Sequence, residues 1–435
     1  MKNWTGLLAV VMLLTASCCG TGVYDVTRFG AKGDGVTDDA AAIQQAVDRA
    51  AEKGGTVVFP AGKTFLCGPV RLRGGVEYRL EANSVLKAHP DESLYHLSAF
   101  GANEGEGMLW LWAEDEENLV IDGPGSIDGN GVAFMGEELE DSYDLKPVTT
   151  FDPRPHVLTL KGVDHVVIRD VTIREGAYWT VHLVGCTDVL VTGISLLNNL
   201  KIRNGDGIDI DHSRKVRISD CYITSGDDCI CLKNRREFAE YGPCEDVVVS
   251  NCVMTSRSCA VKIGSENMDR IANVLFQGCV IRAGNRGIGI QNRDEGTVEN
   301  VRFQNMYVES LLWSDVWWGK AEPIYVTSYP RASVNHKDAN WRFPAGATEG
   351  ACGEVSDIYF TDILCDAANG VFVGGDVPGK VHGIHFDRVD IRLAGERSPV
   401  YDLRPRQGEG FIPATDVPYC FDTASDIWVD GKKVR

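Results

Sequence analysis

Acidic side chains are crowded into one stretch of the sequence, NGDGIDIDHSRKVRISDCYITSGDDCICLKN, which runs from Asn204 to Asn234. The stretch holds six aspartates among strand-like apolar positions, although Asp is a poor strand former and like charges repel. Carboxylates packed together cannot all ionise freely, so at least one pKa should rise. A protonated acid beside ionised neighbours suits acid/base hydrolysis of a glycoside, in which the acid protonates the leaving oxygen and a base activates water.

A repeated unit predicts the fold that would position these carboxylates. It reads apolar-x-apolar-x-(Asp/Asn/Gly)-apolar-x-apolar, and a second short strand follows in most copies. Period-2 strands recurring at this spacing are typical of a parallel β-solenoid, so we predict an all-β, right-handed parallel β-helix. Successive copies are 23, 27, 31, 27, 27, 57 and 26 residues apart, and the long step indicates two coils or one coil with an insertion. The copies begin at Val166, Val189, Val216, Val247, Val274, Val301, Ile358 and Ile384.

Alignment of the second strands places DGIDI from Asp206 beside DCICL from Asp228 on the next coil. Adjacent coils lie about 4.8 Å apart, so Asp206, Asp227 and Asp228 are predicted to converge at the mouth of one strand ladder. If acid and base stand roughly 6.5–9.5 Å apart, a water fits between them and the anomeric configuration inverts.

Other acidic residues in the repeats suit structural roles. Asp170, Asp220 and Asn251 occupy turn positions, where such side chains form local hydrogen bonds. Strand parity turns Asp209 and Asp211 away from the core, which favours a solvated ion-pair ladder with Lys233; we also consider Lys233 a candidate substrate contact.

The rest of the chain fits one catalytic domain over residues 23–435. Residues 23–90 form its N-terminal cap region, with a helix that begins at Thr37 or Asp38, ends at Gly54 and covers the first coil. Residues 313–353 are predicted to be a long loop insertion over one face. A monomer without cofactor or metal is expected.

The first 22 residues resemble a secretory signal peptide, because Lys2 precedes a short apolar run. The segment LTASCCG is similar to a bacterial lipoprotein signal, which makes Cys18 the candidate lipidated residue. We therefore expect a periplasmic or outer-membrane lipoprotein of a Gram-negative bacterium, with plain cleavage and a soluble exported protein as the alternative. The formal net charge of −19 argues against nucleic acid as a partner.

The 14 cysteines match no small disulfide scaffold. Cys221, Cys252 and Cys279 take equivalent inward positions in three repeats, which predicts a stacked ladder of small buried side chains. Cys229 and Cys231 lack the spacing of a zinc turn.

The sequence resembles the polygalacturonase-type pectin hydrolases of glycoside hydrolase family 28, which are inverting enzymes built on right-handed parallel β-helices. NGDGIDID is similar to the family's Asn-Thr-Asp motif with Gly205 in place of Thr, and SGDDCICLKN is similar to its Gly-Asp-Asp motif. The resemblance implies Asp227 as general acid, Asp206 and Asp228 as holders of the attacking water, Asn204 as a substrate contact, and a pectic glycan as substrate.

Two departures from the family pattern affect specificity. Cys259 stands where the family has a histidine, and Gly289 and Gln291 stand where it has the Arg and Lys that hold a substrate carboxylate. Lys262 and Arg286 lie in neighbouring columns and are candidates to replace that pair; alternatively, the sugar bound there is neutral. This favours an exo-acting or rhamnogalacturonan-type enzyme.

Trp179 is a candidate sugar-stacking platform, because its column leads to the acidic cluster. Tyr178, Trp317 and Trp318 are weaker candidates, and ordinary packing is the alternative for all of them. His182 is a candidate substrate contact or a structural hydrogen-bonding group.

Two other functions compete with hydrolysis. A calcium-dependent β-helix polysaccharide lyase would need a metal and a basic catalytic residue. A non-catalytic glycan-binding β-helix would bind ligand without turnover.

Overall fold

The structure is a computed structural model that describes residues 22–100, 107–138, 145–147, 153–313, 319–330, 352–395, 400–402, 411–414 and 417–435. The predicted lipidation site Cys18, nearly all of the predicted signal segment, and Trp317 and Trp318 lie outside the described residues. Across these ranges the structure has no helix with the length and apolar character needed to cross a bilayer.

Strands make up most of the described chain. The first are β1 Gly22–Asp25, β2 Asp34–Asp38, β3 Gly55–Phe59, β4 Thr64–Cys67, β5 Val70–Arg71, β6 Val76–Leu80, β7 Val85–Ala88, β8 Met108–Glu114, β9 Glu117–Asp122, β10 Ser126–Asp128, β11 Met135–Glu138, β12 Leu145–Pro147 and β13 Pro155–Lys161. The middle coils contain β14 Asp164–Arg169, β15 Thr172–Arg174, β16 Val181–Val184, β17 Thr187–Thr192, β18 Ser195–Leu197, β19 Ile208–Asp211, β20 Arg214–Ser219, β21 Tyr222–Ser225, β22 Ile230–Asn234, β23 Cys244–Ser250, β24 Val253–Ser256, β25 Cys259–Asn267, β26 Arg270–Gln277, β27 Val280–Gly284 and β28 Arg286–Asn292. The last are β29 Thr297–Ser310, β30 Ile324–Ser328, β31 Val355–Ala367, β32 Val371–Gly375, β33 Val381–Leu393, β34 Val400–Asp402, β35 Phe411–Pro413, β36 Tyr419–Asp422, β37 Ser425–Val429 and β38 Lys432–Lys433.

Most of these strands stack into a right-handed parallel β-helix, as predicted. The pairs β11/β12 and β34/β35 form separate antiparallel sheets, and β38 pairs antiparallel to β37. Two faces belong to one large sheet, through which the long strands β29, β31 and β33 run continuously. The other face, here called the site face, is the 11-stranded parallel sheet β5-β8-β13-β16-β19-β22-β25-β28-β30-β32-β36. Each coil therefore contributes one rung to the site face before the chain turns onto the next coil.

The predicted repeats align as neighbouring rungs. Val166 pairs with Val189, Val189 with Val216, and the series continues in register to Ile384. Across the 57-residue step, Val301 of β29 pairs directly with Ile358 of β31. This step is therefore one coil with an insertion, not two coils.

The fifth position of every repeat has a positive φ, between 51° and 65°. The left-handed region is open to Gly and tolerated by Asn and Asp, which explains their recurrence at this position. Asp170, Asp220 and Asn251 all lie at turn positions, as predicted. The predicted side-chain hydrogen bonding is seen for one pair, in which the Asn251 side chain donates to Asp220 of the preceding rung at 3.3 Å.

Stacked like side chains fill the interior. Phe303 lies between Phe276 and Phe360, with ring centroids 5.3 and 5.1 Å away. The described cysteines are free thiols, and all but Cys420 are buried. The predicted ladder of Cys221, Cys252 and Cys279 forms within this core.

The N-terminal helix α1, Ala40–Ala51, buries Ile43, Ala46, Val47 and Ala50 against the first coils. Its N-cap residue is Asp39 rather than the predicted Thr37 or Asp38. The Asp39 carboxylate accepts from the backbone N–H groups of Lys32 and Gly33, so it ties the preceding loop to the helix start. Short 3-10 helices lie at Val26–Phe29, Glu92–Leu94, Gly131–Phe134 and Arg236–Tyr241.

The insertion between Trp313 and Gly353 is not wholly a loop. Its strand β30 is buried and pairs with β28 and β32, so the insertion supplies a rung of the site face. Its alternation IYVTS is short and isolated, and the repeat pattern alone did not reveal it.

Candidate active site

Three carboxylates converge where the site-face strands β19 and β22 begin. Asp206 precedes β19, and Asp227 and Asp228 precede β22 on the next coil. One oxygen from each carboxylate lies within 4.8 Å of the others, and the residues are only 2%, 5% and 1% exposed. The predicted convergence is therefore present in the structure.

Serine side chains hold the two coils in this register. Ser225 Oγ donates to the carbonyl oxygens of Gly205 and Asp228 at 2.7 and 3.0 Å and accepts from the Asp227 N–H at 3.1 Å. On the next rung, Ser256 donates to the Asp227 carbonyl oxygen. Sequence reasoning missed both serines, although the Thr-Ser pair recurs 31 residues apart at the end of two consecutive strands.

The backbone N–H of Asn204 donates to Asp227 Oδ2 at 3.3 Å. Asn204 has a φ of 54° and is partly exposed, and its side-chain oxygen accepts a hydrogen bond from the Arg154 guanidinium at 3.4 Å. At Gly205, a Cβ atom would lie 2.9 Å from the Ile202 carbonyl oxygen. The local backbone therefore suits glycine where the family motif has threonine.

Burial and mutual repulsion favour protonation within the cluster. Burial and, secondarily, the charge of Asp228 raise the pKa of Asp227 to about 6, against the opposing effects of Lys262 and Ser258. Burial also raises the pKa of Asp206 well above its usual value, with Asp209 and Asp227 adding to the effect. Since ionisation of the cluster is coupled, its titration belongs to the group as a whole.

Two ammonium groups counter this negative charge. Lys262 Nζ donates to Asp228 Oδ2 at 2.8 Å, and Lys233 Nζ lies 3.8 Å from Asp206 Oδ2. The lysines give the cluster its counter-charge from the chain itself.

The carboxylate spacing differs from the one considered for inversion. Oxygens within 4.8 Å of one another are closer than the roughly 6.5–9.5 Å separation associated with an intervening water. A single water can still bridge two oxygens at this distance, since each O–H···O hydrogen bond spans about 2.7–2.8 Å. The spacing by itself does not determine the stereochemical outcome.

Asp209 and Asp211 do not form the predicted solvated ladder. Both are fully buried, because a cluster of aromatic and aliphatic side chains covers the outer surface of the site face here. Lys233 is in register with Asp211, yet its Nζ lies 3.1 Å from Asp209 Oδ1. Asp211 instead lies 3.4 Å from His182 Nε2. The covering cluster consists of Phe100, Tyr178, Trp179, Val184 and Phe238.

Three predicted substrate contacts belong to this covering cluster or lie against it: Trp179 is a member, and His182 and Lys233 contact its ring. Trp179 is only 5% exposed, and the Lys233 ammonium lies 3.9 Å from its ring centroid, so the ring is a packing element rather than an open sugar platform. His182 is fully buried against Trp179 and paired with Asp211, which gives it a structural role. Lys233 is also buried. The prediction that these three side chains contact substrate is not supported.

The predicted columns around the missing Arg/Lys pair are in register. Cys259 pairs with Arg286 and Lys262 with Gly289. Arg286 is 1% exposed, forms an ion pair with Glu322 and lies over the Tyr325 ring, so it does not serve as an exposed carboxylate receptor.

Position 289 is also closed to a larger side chain. A Cβ atom at Gly289 would lie 2.8 Å from Cys259 Sγ and 3.1 Å from Arg286 Cδ. Gln291 is buried as well. Of the two candidates to replace the Arg/Lys pair, only Lys262 retains partial exposure.

The sequence and the fold match known proteins. The model of "Glycosyl hydrolases family 28" matches residues 54–314, and that of "Rhamnogalacturonase A/epimerase, pectate lyase-like" matches residues 23–78. A probable polygalacturonase from Vitis vinifera is 28% identical over 71% of this chain and 65% of its own length. An exopolygalacturonase from Zea mays is 25% identical over 66% of this chain and 67% of its own length. The first three curated relatives are matched over 65%, 60% and 59% of their lengths, less than two thirds of each.

Solved structures show the same fold. An exopolygalacturonase from Thermotoga maritima superposes with a TM-score of 0.70 at 19% identity, covering 95% of this chain and 92% of its own. A family 28 exopolygalacturonase from Yersinia enterocolitica gives a TM-score of 0.68 at 19% identity, covering 95% and 79%. Because the first family model spans more than half of the sequence, this chain belongs to glycosyl hydrolases family 28.

Proposed function

We propose that the protein is a glycosidase that hydrolyses galacturonate-containing pectic glycans by an inverting acid/base mechanism. The observation that carries this proposal is the convergence of Asp206, Asp227 and Asp228 within 4.8 Å at the start of two adjacent rungs. Family membership and relatives that bear the names polygalacturonase and exopolygalacturonase support the pectic substrate.

Asp227 is the proposed general acid. With a pKa of about 6, it retains its proton in mildly acidic solution and gives it to the glycosidic oxygen as the C–O bond breaks. Asp206 and Asp228 hold the attacking water, and one of them takes its proton as the water oxygen bonds to the anomeric carbon. The proton that Asp227 loses is thus balanced by the one that the base gains.

The proposed substrate is specialised at the position where the family motif has its Arg/Lys pair. Gly289 and Gln291 are neutral, Arg286 is buried against Glu322, and Lys262 is engaged by Asp228. A carboxylate placed here would lose its hydration without gaining a bidentate cationic partner. We therefore propose a neutral sugar at this position, as in a rhamnogalacturonan-type glycan, or attack confined to a chain end.

The test is a comparison of homogalacturonan and rhamnogalacturonan oligosaccharides as substrates, with products resolved by chromatography. Expected is faster hydrolysis of the rhamnose-containing series or release of single terminal residues, and NMR of the first product should show the inverted anomer. Rapid random cleavage of homogalacturonan would contradict the specificity, and a retained anomer would contradict the mechanism.

The same assay separates the competing functions. A calcium-dependent lyase would form an unsaturated product and lose activity in chelator. A non-catalytic binding protein would bind glycans equally well as wild type or Asp227→Asn and would never turn over. We further propose export with lipidation at Cys18, which mass spectrometry of the mature N-terminus would test.

A further inference from the structure

Lys233 is buried behind the carboxylate cluster rather than exposed in front of it. Its ammonium lies 3.1 Å from Asp209 Oδ1, 3.8 Å from Asp206 Oδ2 and 3.9 Å from the Trp179 ring centroid. Only 4% of its side chain is exposed, so the ammonium is surrounded by two carboxylates and an aromatic face.

Asp209 needs this ammonium. It is fully buried, and neither of its oxygens accepts a hydrogen bond of normal geometry from the described residues. A buried carboxylate without such bonds is costly unless an opposite charge lies beside it. The Lys233 contact at 3.1 Å therefore compensates Asp209, and Asp209 in turn fixes where the ammonium lies.

The surrounding charges keep Lys233 protonated. Although burial lowers the pKa of its ammonium, Asp209, Cys231, Glu266 and Asp206 outweigh that effect and raise it well above its usual value. Lys233 is therefore a permanent positive charge across the working pH range.

Asp206 faces charges of both signs. Burial raises its pKa, Asp209, Asp227 and Asp228 raise it further, and Lys233 opposes them all. A protonated Asp206 cannot accept a proton from water. The charge that Lys233 supplies therefore favours the form of Asp206 that can act on the water.

We propose that Lys233 is a positioning residue whose ammonium, anchored by Asp209 and Trp179, favours the ionised form of Asp206, the form that can take part in activating water. This inference rests on the proposed hydrolase function and adds to it a group that never touches the substrate.

The test is the pH dependence of kcat/KM for Lys233→Met divided by that of wild type. Loss of an opposite charge within about 4 Å should raise the pKa of Asp206 by about 1–3. The ratio should then be lower in acidic than in alkaline solution, by about tenfold for each unit by which the pKa of Asp206 rises. A purely structural role would lower activity by the same factor at every pH.

Lys233→Arg is the matched control, because it retains the charge and should keep the ratio independent of pH. Lys233→Met leaves Asp209 unpaired, so the double variant Lys233→Met/Asp209→Asn provides a second test in which both partners of the buried pair are replaced. It should show the same acid-side loss, smaller in size because Asp209 also raises the pKa of Asp206. Circular dichroism at each pH confirms folding.

A pH-independent ratio in a folded variant would overturn the role of Lys233 while leaving hydrolysis intact. Absence of turnover by wild-type protein on every pectic oligosaccharide would instead overturn the proposed function. The two failures are therefore distinguishable.

Discussion

Replacement of Asp227 by Asn separates the catalytic role of this carboxyl from its effect on stability. The variant is nearly isosteric and cannot donate the proton to the leaving oxygen. We expect kcat/KM on a pectic oligosaccharide to fall by at least about 10²-fold, as is typical for loss of a general acid.

Stability should change in the opposite direction. The pKa of Asp227 is raised from 3.8 to about 6, so ionising it in the folded protein costs about 3 kcal/mol. Below pH 3.8 the carboxyl is protonated in both the folded and the unfolded chain, and the cost is absent. The cost grows as the pH rises from 3.8 to about 6 and is constant above that, so wild-type protein loses this stability across that range and the variant does not.

Chemical denaturation of both proteins at about pH 3.5 and about pH 7.5 measures the effect. The free energy of unfolding of the variant relative to wild type should increase by about 3 kcal/mol between the two conditions. Asp170→Asn is the matched control, because it makes the same chemical change at an exposed turn with a φ of 57°. It should alter neither activity nor the pH dependence of stability.

Two results would refute this reasoning. Activity of Asp227→Asn within a few-fold of wild type would exclude Asp227 as the acid. A stability difference that is the same at both pH values would show that the carboxyl is not held against ionisation in the folded protein.

Two further predictions concern a contact in the site and the core. Lys262→Met removes an ammonium group that lies 2.8 Å from Asp228 and lowers the pKa of Asp227. Without it the pKa of Asp227 should rise, so the activity optimum should move to higher pH by about one unit. An unchanged or more acidic pH profile would contradict this. Phe303→Ala empties the middle of a stack with neighbours at 5.3 and 5.1 Å and should reduce the free energy of unfolding by about 3–5 kcal/mol in chemical denaturation. Phe303→Leu is its control and should lose less.

The coil architecture was predictable because it depends on a local pattern repeated many times. Alternating apolar residues define each strand, and the turn residue at the fifth position adopts a left-handed conformation that favours Asp, Asn or Gly. Once Val166 and its counterparts are stacked, the rung assignments of Asp206 and Asp228 follow. The convergence of the carboxylates was therefore accessible from the sequence.

The burial of side chains on the outer surface of the site face could not be predicted from the repeat pattern. Strand parity correctly turns Asp209, Asp211 and His182 away from the core, and a solvated surface is the ordinary consequence. Here Phe100 and Phe238, which are distant in sequence, cover that surface. The alternation of residues along the strands does not show where these other segments of the chain will pack.

The sequence by itself determined the coil, its register and which acidic residues meet, because these depend on short-range alternation and on a repeat of near-constant length. Only the tertiary structure decided which outward-facing charges are exposed. In the structure Lys233, a candidate substrate contact by sequence, is a buried counter-ion of Asp209, and Arg286 is buried in an ion pair with Glu322. The physical reason is that side-chain exposure depends on what other segments lie over a surface, whereas strand direction depends only on the chain's own alternation.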